Sequence, residues 1–199
     1  MGLRKRVLVR VQRKRFDDEG EYLDGFVVAV DRKWFCMHLM DNSMMLDGFS
    51  VFRVADISLL DVPQRRHLLH QKILRWRNSR MRKPRSLDLT STRSILETAQ
   101  ADGIVTIYRE RFLKGACWIG VARCEARTFR LLEIDCDGKW DGSSSEYRYK
   151  DVTRIEFGDA YSESLAANVG WLDSERLRVL FPGAKKELRA RLARERSVR

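Results

Sequence analysis

Residues 51–60 read VFRVADISLL, and residues 146–155 read EYRYKDVTRI. Phe52-Arg53-x-x-Asp56-Ile57 in the first stretch matches Tyr147-Arg148-x-x-Asp151-Val152 in the second, at an offset of 95 residues. Upstream, Gly25-x-Val27 matches Gly120-x-Ala122 at the same offset. Phe35-x-Met37 matches Phe129-x-Leu131 and Asp41 matches Asp135 at an offset of 94, so one single-residue gap reconciles the two copies. Each copy opens on a short apolar stretch, Val7-Leu8-Val9-Arg10-Val11 and Ile104-Val105-Thr106-Ile107. Self-similarity at a fixed period sets architecture before any local propensity does, and here it sets two equivalent units.

Within each unit, alternation and β-branched and aromatic enrichment predict five strands in some 55 residues. The first set spans roughly 5–12, 22–31, 33–41, 48–54 and 56–61. The second spans roughly 104–110, 117–125, 128–136, 145–150 and 152–157. Asp31-Arg32-Lys33 and Glu125-Ala126-Arg127 suit hairpins, and Asp41-Asn42-Ser43 and Asp137-Gly138-Lys139 carry loop chemistry. Gly25 and Gly120 fall inside strand patterns, which marks a bend or bulge where a small sheet curls. The expected fold is mainly β with connecting helices: two small five-stranded barrels, each closing on itself to remove exposed edges, joined by a helical linker and followed by a basic C-terminal helix. The expected divisions are a first barrel over 1–62, a basic helical connector over 63–102, a second barrel over 103–160 and a helical tail over 161–199.

Gly-x-Val-x-x-Val-Asp-x-x-x-Phe, from Gly25 to Phe35, resembles the first Sm motif, whose glycine bends the second strand. FRVADISLL and YRYKDVTRI resemble the short terminal strands of the same barrel. The chain therefore resembles a tandem Sm-like protein and a bacterial group with that layout. The resemblance implies fold and carries over no RNA-pocket residue. The base-holding Asn of the third strand is not found near Phe35 or Phe129, and the Arg-Gly of the second Sm motif is missing.

Residues 63–80, PQRRHLLHQKILRWRNSR, read as a helix opened by Pro63. Leu69, Ile73 and Trp76 form an i, i+4, i+7 apolar stripe, on which Trp76 reads either as core or as a ring that stacks on bases. Pro84 ends this region. Thr90 to Ala101 reads as a second helix, capped by Asp88, Thr90 or Ser91. Ser162 to Val169 reads as a short helix, and AKKELRARLARERSVR over 184–199 as a basic helix that frays at its end.

Charge is laid out in blocks. The 199 residues carry a formal net charge of +11. Residues 1–15 hold seven bases and no acid, 16–62 hold three bases and ten acids, and 63–85 hold nine bases and no acid. Arg outnumbers Lys 29 to 10, and the planar guanidinium fork suits phosphate. The expected function is a non-enzymatic binding module, contacting RNA or DNA with weak sequence preference through Arg65, Arg66, Lys72, Arg75, Trp76, Arg77, Arg80, Arg82, Lys83 and Arg85. The basic side chains would neutralise phosphates and Trp76 would stack on bases. The alternative is a protein-interaction or scaffold module that pairs through sheet edges, with itself or with a protein partner.

No catalytic residue, cofactor or metal is assigned. There is no P-loop, G-x-G-x-x-G, H-E-x-x-H or G-x-S-x-G sequence. Cys36 with His38, and His67 with His70, each supply two metal donors where a structural zinc wants four. Cys36, Cys117, Cys124 and Cys136 form no C-x-x-C pair and are expected as small buried apolar side chains. No run of 18 apolar residues suggests a membrane span. Arg10 and Arg13 interrupt any signal-peptide core, and Arg6 breaks the myristoylation pattern after Gly2. A cytoplasmic protein is expected.

Overall fold

The computed structural model describes residues 7–18, 21–62, 64–84 and 86–170, without the side chains of Gln64, Arg66, His67 and Asp102. Arg4, Lys5, Arg6, Pro63, Arg85 and the C-terminal basic helix expected over 184–199 lie outside the described residues. The first repeat forms β1 (Leu8–Gln12), β2 (Leu23–Val30), β3 (Trp34–Met40), β4 (Leu46–Arg53) and β5 (Leu59–Asp61). Two helices follow, α1 (Gln64–Trp76) and α2 (Thr92–Ala99). The second repeat forms β6 (Val105–Tyr108), β7 (Cys117–Cys124), β8 (Thr128–Glu133), β9 (Ser145–Arg148) and β10 (Arg154–Phe157), and then α3 (Ala160–Val169).

The two repeats use the same registers. Val9 stands opposite Gly25 in the first, and Val105 opposite Gly120 in the second. Phe35 opposes Phe52 as Phe129 opposes Tyr147. A single 3-10 turn, Val54–Asp56 or Tyr149–Asp151, separates the last two strands of each set. The helix after each set covers an equivalent patch. Leu74 of α1 packs with Leu8, Phe26 and Met40, and Ala166 of α3 packs with Ile104 and Ile134.

Strand order is β5-β1-β2-β3-β4-β10-β6-β7-β8-β9. The ten strands form one open antiparallel sheet, which corrects the expectation of two closed five-stranded barrels joined by a helical linker. The physical reason lies on β4. Its second edge takes β10 of the other repeat, with Phe49 opposite Phe157 and Val51 opposite Ile155. The Phe49 and Phe157 rings stack at 5.3 Å. Backbone donors and acceptors must be paired when buried, and here the second repeat pairs them.

The helices do not hold two bodies apart. Ser91 caps α2 by accepting from the Ser94 amide. Leu89, Ile95, Leu96 and Ala99 from this region then join one core with Val28, Trp34, Cys36, Phe49 and Val51 of the first repeat. The same core holds Val105, Ile107, Phe129, Leu131, Ile155 and Phe157 of the second. The outer face of one repeat thus completes the core of the other.

Candidate nucleic-acid interface

The basic connector lies on the outside of the first repeat. Only His70 and Leu74 of α1 are fully buried among its described side chains, and Ile73 is half-buried. Of the apolar stripe Leu69, Ile73 and Trp76, Leu69 is 49% exposed and Trp76 82% exposed, so Trp76 does not face the core. The buried pair sits one residue round the helix from that stripe. Leu74 fills the gap between Phe26 and Met40, and this rotates the flanking apolar residues outward.

The bases of the connector are open to solvent. Arg65, Lys72 and Arg75 lie exposed on α1, Arg77 follows its last turn, and Arg80, Arg82 and Lys83 lie exposed on the segment after it. Arg66 belongs to α1, with its side chain outside the description, and Arg85 lies outside the described residues. Among the described residues, none of the seven exposed bases makes an ion pair. Arg77 stacks its guanidinium 6.0 Å from the Trp76 ring and donates to the Ser43 carbonyl at 2.9 Å. Arg75 and Arg80, with Gln71 and Ser79, rim a groove of about 460 Å³ floored by Phe26, Leu46, Leu74 and Met81. Sequence periodicity alone could not find that groove, because Phe26 and Leu46 come from strands of the sheet.

His38 of β3 anchors the connector. It is fully buried, stacks on Phe49 at 4.6 Å, and accepts from the Arg82 backbone amide through Nδ1 at 3.3 Å. Its Nε2 has no partner among the described residues. Burial, helped by the Arg82 charge, lowers the imidazole pKa to about 4. A histidine near 6.5 in the unfolded chain then takes up its proton before the folded one does, so stability is full at pH 7. It falls as pH drops from about 6.5 towards 4, by up to about 3 kcal/mol. His38→Phe, which keeps the stacking and removes the titration, should flatten the pH 4–7 slope of urea unfolding free energy. An unchanged slope would remove His38 from the account.

A second polar cluster ties the repeats together beneath the junction. Arg13 is 1% exposed, and its guanidinium meets Glu110 of the other repeat through two bonds of 2.9 Å. It also meets Asp17 at 2.6 Å. Thr153 donates to Glu110 at 2.7 Å. Nearby, Tyr108 donates to Glu156 at 2.6 Å while Arg154 lies 3.6 Å over the Tyr108 ring. Burial, reinforced by Glu156, pushes the Tyr108 hydroxyl well above its ordinary range. Every charge here is met by an opposite one, which suits a structural lock better than a ligand site.

The cysteines divide. Cys36 is buried, and burial pushes its thiol up. Cys117 and Cys136 are exposed, contrary to the expectation that all four serve as buried apolar side chains, because each sits at a strand end or in a loop. Among the described residues no group of three His, Cys, Asp or Glu side chains could hold a metal, and no helix is long and apolar enough to cross a membrane. Comparison with protein-family models, with curated proteins and with solved structures finds no match to this chain.

Proposed function

We propose that the protein is a non-enzymatic module that binds single-stranded RNA or DNA, with weak sequence preference, through the face formed by α1 and residues 77–83. The observation that carries this reading is Trp76: a large aromatic ring 82% exposed, with Arg77 against it, on a connector whose seven solvent-facing bases make no ion pair among the described residues. Exposed indole is costly unless something covers it. Stacking on a base is worth about 1–3 kcal/mol and tolerates any base. Guanidinium groups beside the ring would take the adjacent phosphates, which position a strand without reading it.

The experiment is fluorescence anisotropy of a labelled 15-nucleotide single strand against salt. Binding at roughly micromolar or weaker affinity near 100 mM salt is expected, falling steeply as salt rises. Charge reversal of Arg77, Arg80 and Arg82 should weaken binding of every sequence alike and flatten the salt slope by roughly one unit per lost contact. Trp76→Ala should lower affinity about tenfold or more with an unchanged melting temperature. Absence of salt-sensitive binding to any probe would end the reading.

Self-association through sheet edges is the alternative reading, and the repeat speaks against its simplest form. The apolar outer face that docks the second repeat is Val28, Trp34, Cys36, Phe49 and Val51. Thr128, Arg130, Ser144 and Glu146 stand at the positions matching Trp34, Cys36, Phe49 and Val51, and Arg123 faces Arg130 as Ala29, beside the Val28 bulge, faces Cys36. Arg130 is already satisfied by Ser144, at 2.9 Å to its hydroxyl and 3.0 Å to its carbonyl. A further copy seated as the second repeat seats on the first would bury charge where the internal junction buries aromatic and aliphatic groups.

A further inference from the structure

The repeat contains a motif whose two copies differ in what they hold. Arg13-Lys14-Arg15-Phe16 follows β1, and Arg109-Glu110-Arg111-Phe112 follows β6, at an offset of 96. The leading arginines occupy equivalent aromatic settings. Arg13 lies 5.7 Å from the Phe16 ring and 5.6 Å from Phe52. Arg109 lies 4.8 Å from Phe112 and 5.0 Å from Tyr147, with Trp118 at 5.5 Å. The second residues are held alike as well. The Lys14 amide donates to the Ser58 hydroxyl at 2.8 Å, and the Glu110 amide to the Thr153 hydroxyl at 3.1 Å.

Arg13 meets two carboxylates through its terminal nitrogens. Asp17 comes from its own repeat, and Glu110 is delivered by the repeat whose strand pairs with β4. Arg109 has neither. Leu113 stands where the first repeat has Asp17, and among the described residues β9, the counterpart of β4, pairs only with β8. The buried Nε of each arginine has no hydrogen-bond partner among the described residues, so the two differ in the carboxylates that meet their terminal nitrogens. Phe112 is 58% exposed and Leu113 56% exposed, whereas Phe16 is 5% exposed.

We propose that Arg109, within its clamp of Phe112, Trp118 and Tyr147, receives a carboxylate from an acidic β-strand segment of a different protein that pairs with the free edge of β9. The internal junction is the template: there a strand pairs with the edge, and a glutamate beside it enters the aromatic-flanked guanidinium. A second copy seated as the second repeat sits on the first would present Lys14 in that place, which repels Arg109, so this geometry calls for a different protein. Desolvated Arg–carboxylate bonds with a planar fork are strong and geometrically selective, and an exposed strand edge supplies the main-chain bonds.

The probe is a fluorescein-labelled nine-residue peptide of alternating threonine and valine around one central glutamate, with its glutamine twin. Wild-type protein should bind the glutamate peptide at least about tenfold more tightly than the twin, in keeping with a bidentate charge-assisted bond. Arg109→Gln should abolish the difference, and Arg109→Lys, which keeps the charge without the fork, should leave part of it. Both variants are read beside their melting curves. Arg80→Glu in the connector should leave peptide binding unchanged, which separates this surface from the nucleic-acid face. Equal affinity for the two peptides, no binding, or displacement by a 15-nucleotide single strand with loss of strand binding in Arg109→Gln would each overturn the proposal.

Discussion

Glu110→Ala should destabilise the protein by about 3–5 kcal/mol, the range found when one partner of a buried ion pair is removed. The side chains of Arg13 and Glu110 are 1% and 4% exposed, and their paired 2.9 Å bonds span the junction. Without Glu110, the Arg13 guanidinium keeps Asp17 and loses the partner that ties it to the second repeat. Thr153 loses its 2.7 Å acceptor at the same time. Urea unfolding measures the loss. Arg13→Met combined with Glu110→Leu should recover much of it, since replacing both members of a buried pair by apolar groups is often neutral. A single-variant loss below about 1 kcal/mol would mean that the lock is no stronger than a surface pair.

The lock also carries a pH dependence. Burial pushes the Glu110 carboxyl up, but the Arg13 bond, the Arg154 and Arg13 charges and the Thr153 bond together outweigh it and hold its pKa below the usual value. Its contribution is therefore complete above the unfolded carboxylate range near pH 4 and is lost as pH falls through the lower folded value. That window lies below the one set by His38.

Gly120→Val should be the most damaging single change in the second repeat. A Cβ at Gly120 would collide with the carbonyl oxygen of Leu132 and press on the Cα of Glu133, so β8 itself must move. Gly25 meets the carbonyl oxygen of His38 in the equivalent place, and also the flexible end of Met37. Overpacking of this kind costs about 1–3 kcal/mol, and more where backbone rather than side chain must shift. Gly120→Val should reach the top of that range, with Gly25→Val somewhat below it. Gly142→Ala, with nothing within 4 Å, serves as the neutral control. Equal melting temperatures for all three variants and wild type would show that the strand crossing does not need glycine.

Gly25 and Gly120 show how local reading and tertiary cause differ. Their place inside strand patterns was visible, and a bend was the expected reason. In the structure the reason is the close approach of β3 or β8, a fact about a neighbouring strand. The strands themselves were legible, because alternation over five to eight residues is a local signal. So was the repeat, because matching residues at a fixed offset need no coordinates. Trp76 and its basic neighbours could be named as a candidate interface from charge alone. Whether Trp76 faced core or solvent turned on which side of α1 Leu74 would bury.

What the sequence alone determined is the set of parts: ten strands in two equivalent sets of five, a helix after each, and one dense basic block between them. What only the tertiary structure decided is how the sets meet. A strand edge carries no label for its partner, since backbone donors and acceptors are the same along every strand. Closure of each set on itself and pairing between sets therefore read alike in one dimension. The choice fell to side chains far apart in the chain: Phe49 on Phe157, Val51 opposite Ile155, and Arg13 bonded to Glu110 across 97 residues. These contacts favour one continuous sheet, because the apolar outer face of the first repeat is covered by the second repeat together with α2.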